Sequence, residues 1–203
     1  MIAVVDYNMG NLRSVHNAFE KIGTRVDIVQ DYTKLQAYDK IILPGVGAFG
    51  DAMESLESTG MKEAVQVFVK SGKPLLGICL GMQLLFESSC EFGKTQGLNL
   101  IEGEVVAFDK ARFSSKLKVP HMGWNEIFIQ QNSPLLKGLP KEVYLYFVHS
   151  FHVVCDDAVT IGKTKYGYEF ASAVQKDNIF GIQPHPEKSH DNGLKILKNF
   201  VEL

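Results

Sequence analysis

No stretch of the 203-residue chain approaches the roughly 18 consecutive apolar residues that a membrane-spanning helix requires. The N-terminus, "MIAVVDYNMGN", lacks the basic patch and small-residue cleavage site of a secretory leader, and it reads as a first strand. Cysteine is scarce: Cys79, Cys90 and Cys155 cannot all pair within the chain, and their spacing fits no zinc motif. A reducing compartment, hence the cytoplasm, is the expectation. There is no excess of positive charge either. The 21 Lys and Arg against 23 Asp and Glu give a net charge of -2 with no basic stripe, which argues against nucleic acid or an anionic membrane as partner. Proline numbers only 7, and no linker, repeat or low-complexity tract divides the chain. What remains is 45% hydrophobic and 22% charged, the composition of one large domain with a full core over residues 1–203.

The first half alternates strands with helices. Residues 2–5 are a short β-branched run, and "NLRSVHNAFEKIG" places Leu12, Val15, Ala18, Phe19 and Ile22 at helical spacing, with Gly23 fitting the C′ position. "RVDIV" and "DKIILPGVGAFG" supply a second strand and a third that runs into a glycine-rich turn. Helices are expected near 49–58 and near 60–71, then the strand "PLLGI" and a helix over "LGMQLLFES". That alternation implies an α/β fold with a parallel sheet covered on both faces. After residue 100 the strand-like segments "GEVVAF", "NEIFI", "VYLYFV" and "FHVVC" follow one another through short turns, suggesting added antiparallel or mixed strands. "NIFGI" is a further strand and "HDNGLKILKNFVEL" a closing helix.

One cysteine stands apart. In "PLLGICLGMQLLFES", Cys79 lies two residues from Gly77 and two from Gly81, the thiol form of the strand–turn–helix nucleophile elbow. A buried structural cysteine needs no such clearance; a nucleophile on a strained turn does. The helix beginning at Leu80 is expected to point its positive end at the sulfur, and the Leu80 N–H is placed to donate to a developing oxyanion. Cys90 and Cys155 lack this setting.

A catalytic cysteine needs a base, and the chain offers His16, His121, His149, His152, His185 and His190. Only "QPHPEKS" supplies an orienting carboxylate at once: with the segment extended by its prolines, Glu187 projects to the same side as His185. A carboxylate on one ring nitrogen fixes the tautomer and frees the other to take a thiol proton. His16 falls on the first helix. His149 and His152, in or beside a strand pair, read as structural or pocket-lining, and His121 and His190 as loop residues. No spacing makes a metal site, and no cofactor is expected. "LPGVGAFG" (43–50) follows a strand, so its amides fall on the same sheet edge as Cys79. It lacks the Lys and Ser/Thr of a P-loop, and an oxyanion-hole loop is the stronger assignment than a phosphate site.

Together these motifs make the chain resemble the class I, triad-type glutamine amidotransferases, on a flavodoxin-like fold. "DYNMGNLRSV", "PGVGAFGDAM", "VPHMGWNEI", "YFVHSF" and "HPEKS" extend the resemblance over essentially the whole chain. They point to the glutaminase subunits that serve a (β/α)₈ cyclase subunit in histidine biosynthesis. The resemblance implies a Cys79, His185 and Glu187 triad, and an oxyanion hole from Val46, Gly47 and Leu80. It further implies that Gln83 with the backbone of Ser150 and Phe151 holds the α-amino and carboxylate groups of L-glutamine. Asn11, Lys188 and Trp124 in "PHMGWN" are expected to face the cyclase in a heterodimer. Two departures stand out: Asn8 where the family more often has Gly, and Phe151 where Tyr is common. Three other readings stand beside this one: an amidotransferase serving another acceptor such as a surface-glycan sugar, a stand-alone cysteine hydrolase of the same fold, and a non-catalytic subunit. The intact triad argues against the last.

Overall fold

The computed structural model describes residues 1–203. Five short strands lie parallel at its centre: β1 (Ile2–Val5), β2 (Val26–Val29), β3 (Lys40–Leu43), β4 (Leu75–Ile78) and β13 (Ile179–Ile182), in the order β2-β1-β3-β4-β13. All four residues of β1, β4 and β13 are buried, the pattern of strands covered on both faces. The cover comes from α1 (Leu12–Lys21) and α5 (His190–Glu202) on one face and from α2 (Phe49–Ser58) and α3 (Met61–Lys70) on the other. Alternate strand residues feed the two layers: Ala3 and Val5 pack with Phe49, Leu56 and Phe68, while Ile2 and Val4 pack with Phe19, Ile196 and Phe200. In α1, Asn11 accepts the Ser14 N–H as N-cap, and Gly23, at φ +72°, follows the helix end where only glycine is unstrained.

The second half extends the same sheet. β12 (Tyr168–Lys176) runs antiparallel to β13 and forks it. One arm continues through β10 (Phe151–Val154), β7 (Ile101–Ala107), β5 (Phe86–Ser89) and β6 (Thr95–Gln96). The other runs through β11 (Thr160–Tyr166) and β8 (His121–Ile129) to β9 (Glu142–His149). Apart from the parallel pair β5/β7, every added pairing is antiparallel. No helix is long and apolar enough to cross a membrane.

Three sequence expectations need correcting. The helix after Cys79 is a single turn, α4 (Leu80–Gln83), and residues 86–89 are the strand β5. Leu84, Leu85 and Phe86 are all fully buried, so the run has no polar face to turn outward as a surface helix would. The backbone of 98–101 instead donates to the carbonyls of Leu84, Leu85 and Phe86, and the chain turns at Leu84 and Leu85 before entering β5. His121 is not in a loop but is the buried first residue of β8, and His190 opens α5. The hairpin β11–β12, turning at Gly167, was not read from the sequence at all.

Candidate active site

The C-terminal ends of β3, β4 and β13 meet at one edge, where open α/β sheets carry their ligands. Cys79 sits there at φ +55°, ψ −113°, a conformation a non-glycine residue holds only under constraint. Its N–H donates to Ile182 O (2.8 Å), while its carbonyl accepts from Met82 and Gln83. Both flanking glycines are required by contact. A Cβ on Gly77 would lie 2.7 Å from Gly81 O, and one on Gly81 would lie 1.8 Å from Leu43 O. Because α4 is one turn, the amides after Cys79 matter here as individual donors and not as the end of a long dipole.

His185 reaches the same edge from the end of β13, anchored by its N–H to Tyr146 O (2.8 Å). Its Nδ1 donates to Glu187 Oε1 at 2.7 Å, with the two side chains only 3% and 2% exposed. The carboxylate reaches the ring from a 3₁₀ turn over Pro186–Lys188, not from the extended run that the spacing suggested. Nε2 has no hydrogen-bond partner and is left for the cleft. Burial works against a charged imidazole here. The facing Cys79 sulfur and Glu187 carboxylate outweigh it and push the His185 pKa up to about 10.

A cleft of about 330 Å³ joins these groups. Val46, Gly47, Cys79, Leu80, Gln83, Ser150, Phe151 and His185 all line it, bringing the sequence-identified pocket residues together. The 44–47 loop is pressed onto the elbow: a Cβ on Gly45 would lie 2.7 Å from the Tyr7 hydroxyl and 2.9 Å from Gly81 N. Fully buried Tyr7 donates its hydroxyl to Pro44 O (2.8 Å) and so ties the loop to β1. Gly47, at φ +101°, gives the loop its turn.

The polar lining differs in detail from the sequence expectation. Both amide hydrogens of Gln83 are committed, to Phe151 O (3.1 Å) and to Gln183 Oε1 (3.0 Å), so this side chain offers a ligand its carbonyl oxygen. Phe151 O also accepts from His149 Nδ1 (2.8 Å), which fills both of its lone pairs and removes it as a substrate acceptor. Glu91 lines the cleft and accepts the Phe49 N–H (2.8 Å). Gln183, wholly buried, donates to the Cys79 sulfur at 3.7 Å. Sequence reasoning missed both; nothing local marks Glu91, whereas Gln183 stands two residues before His185 and could have been suspected. Cys90 is exposed and Cys155 half-buried, and neither lines the cleft; burial raises the Cys155 pKa. No group of three or more His, Cys, Asp or Glu is arranged to hold a metal ion.

Asn11, Lys188 and Trp124 gather around the 185–190 turn. Asn11 lines a small cavity against Pro44, Gly45, His185 and Glu187. Lys188 is exposed on the turn itself, and Trp124, 47% exposed, stacks on His190 with the rings 3° from parallel. Met122 and Tyr144 are also exposed, on the paired strands β8 and β9.

The family model for "Glutamine amidotransferase class-I" matches residues 3–203. The chain is 66% identical, over all of its length and 98% of the relative's, to "Imidazole glycerol phosphate synthase subunit HisH" of Sulfurimonas denitrificans. It is 58% identical to the protein of the same name from Wolinella succinogenes, with both chains fully covered. Among solved structures, PurLQS from Thermotoga maritima superposes with a TM-score of 0.75 at 22% identity, over 99% of this chain and 97% of that one. A crystal structure described as a glutamine amidotransferase gives 0.76 at 16% identity, over 100% and 98%. At those identities the two structures speak for the fold alone.

Proposed function

The chain belongs to the class I glutamine amidotransferase family, and we propose that it is the glutaminase subunit of imidazole glycerol phosphate synthase, with Cys79, His185 and Glu187 as its triad. The observation that carries the chemistry is one cleft holding a strained, glycine-cleared thiol, a buried His–Glu pair with a free Nε2, and a glycine loop. The observation that favours this acceptor over a glycan sugar is full-length identity of 58–66% to subunits named for that synthase.

In this reading Cys79 gives its proton to His185 Nε2, and Sγ attacks the side-chain carbonyl carbon of glutamine. The oxyanion is held by the Leu80 N–H and by amides of the Val46–Gly47 loop. As the C–N bond breaks, His185 returns the proton to the leaving nitrogen and ammonia departs, leaving a glutamyl thioester. Water then attacks the thioester, losing a proton to His185, and the C–S bond breaks. His185 reprotonates the sulfur, so that glutamine and water have become glutamate and ammonia. Glu187 holds the imidazole in the tautomer that serves both steps and stabilises its charged form. Glu91 and the Gln83 carbonyl oxygen are suited to the substrate's α-ammonium, since the Phe151 carbonyl is already filled.

Ammonia released into water would be protonated and lose its nucleophilicity. Direct transfer to a (β/α)₈ cyclase subunit, which would convert its ribotide substrate to imidazole glycerol phosphate and aminoimidazole carboxamide ribotide, meets that need. The exposed Trp124, Met122 and Tyr144, with Lys188 on the adjoining turn and Asn11 next to His185 and Glu187, form the face offered to this partner. The test is glutamate release with and without the cyclase and its ribotide ligand, for the natural protein and for Cys79→Ala. Activity is expected only with Cys79 present, strongest in the ligand-bound heterodimer. Glutamate production by Cys79→Ala in the complete assembly would sink the assignment.

A further inference from the structure

His149 and His121 are both buried, yet neither belongs to the triad. Their hydrogen bonds form a chain whose direction can be read from its outer end. The Glu126 N–H donates to Asn125 Oδ1 (2.8 Å), and Asn125 Nδ2 donates to Lys165 O (3.0 Å), so the Asn125 amide can sit only one way round. Its Nδ2 also lies 3.1 Å from His121 Nε2, which must therefore be the bare, accepting nitrogen. A neutral His121 then carries its proton on Nδ1 and donates to His149 Nε2 at 2.9 Å. That in turn leaves His149 with its proton on Nδ1, donated to Phe151 O at 2.8 Å. Tyr166 and Phe147 sandwich the His121 ring at centroid distances of 4.0 and 4.8 Å, so it cannot turn to offer its other edge.

The chain ends on the backbone that walls the cleft. His149 lines the cleft itself, but with Nε2 filled by His121 it cannot serve as a second base. We infer that His121, held by Asn125, is a positioning residue: it fixes the His149 tautomer so that His149 pins the Ser150–Phe151 backbone in the shape that binds the substrate. Without that donor, His149 Nε2 is a buried acceptor with no partner, and the ring loses the hold that keeps its Nδ1–H on Phe151 O. The carbonyl is then free to shift, and with it Gln83, whose amide shares that acceptor. This inference rests on the glutaminase reading of the cleft.

The experiment compares His121→Phe with His121→Asn in the complete assembly, measuring KM for glutamine and kcat separately. Phe keeps the packing between Tyr166 and Phe147 and removes the donor; Asn gives up the packing and places an amide N–H where Nδ1 stood, restoring a donor towards His149 Nε2. The expected result is a KM raised about tenfold by Phe, with kcat changed by less than about threefold, and a KM for Asn much nearer the natural value. A residue that only packs would give the opposite order, with Phe the milder change, and that order overturns the inference. Nitrogen-15 spectra of labelled histidine in the natural full-length chain provide a readout that needs no variant and no activity. Both rings should appear as neutral Nδ1–H tautomers, and a His149 protonated on Nε2 overturns the inference directly. Were the natural protein to release no glutamate in the assembly, the glutaminase reading would fail while the spectra still judged the chain of hydrogen bonds.

Discussion

His185 and the His121–His149 pair are almost equally buried, at 3%, 2% and 6% exposed, yet their protons are held in opposite ways. Burial alone lowers His121 to about 4, and burial together with the neighbouring imidazoles takes His149 to about 3 against a backbone contact that favours the charge. His185 goes up to about 10 although burial pulls it down too. The difference lies in what faces each ring: a carboxylate and a sulfur for His185; for the pair, amides, carbonyls and imidazoles, with the charged His185 among those facing His149. An enclosed imidazole stays neutral unless an acid is enclosed with it. The parallel half of the sheet builds a site that holds a proton, and the antiparallel half builds one that refuses it.

The largest effect should come from removing the enclosed acid. Glu187→Gln keeps the shape of the side chain but cannot stabilise the imidazolium, and kcat for glutamate release should fall on the order of 10²–10⁴-fold. The pH dependence of stability should change with it. A histidine whose folded pKa of about 10 exceeds its unfolded value near 6.5 stabilises the fold fully below pH 6.5 and loses that contribution as pH rises to 10. Chemical denaturation across that window should show a declining stability for the natural chain and a flatter one for Glu187→Gln. An unchanged alkaline slope would mean that Glu187 is not what holds the proton.

On the antiparallel side the sign reverses. Histidines kept neutral below their unfolded pKa stabilise the fold above about pH 6.5, and that stabilisation drains away as pH falls towards 4. His121→Phe leaves His149 Nε2 without its donor and should cost about 1–3 kcal/mol at neutral pH. It also removes one titrating group, so its stability curve should converge with that of the natural chain near pH 4. Parallel curves over that range would show that His121 does not titrate on unfolding, and the contrast with His185 would collapse.

The same division explains what could be read from the sequence. The proposed triad lies in two short segments, "GICLG" and "HPE", where glycine spacing and a two-residue offset carry the chemistry. The strands below it are fully apolar runs whose burial on both faces shows in their composition. The antiparallel half offers no such local record. His121 is brought to His149 by the register of β8 against β9, across 28 residues of chain, and nothing near "PHMGWN" announces it. The β11–β12 hairpin escaped because lysines interrupt β11 and its register shifts near Gly162, blurring the alternation that marks a strand. The helix foreseen after Cys79 failed for a related reason. Leu84, Leu85 and Phe86 suit a helix by propensity, but only strand pairing and loop contacts could bury all three.

The smallest expected effect serves as a control on the whole comparison. Asn8, exposed between β1 and α1, holds φ +68°, a left-handed conformation that glycine adopts without strain and asparagine tolerates. That geometry accounts for the glycine common at this place in the resembling family. The Asn8 backbone N–H donates to Asp6 Oδ1 (3.0 Å), a bond that glycine would keep. Asn8→Gly should therefore shift stability by less than about 1 kcal/mol, the relief of strain being partly offset by the freer unfolded chain. Because the substitution changes no titrating group, the shift should be the same at pH 4, 7 and 10. If it varied with pH as much as the histidine variants do, their opposite slopes would have to come from a general loosening of the fold and not from the two kinds of imidazole site.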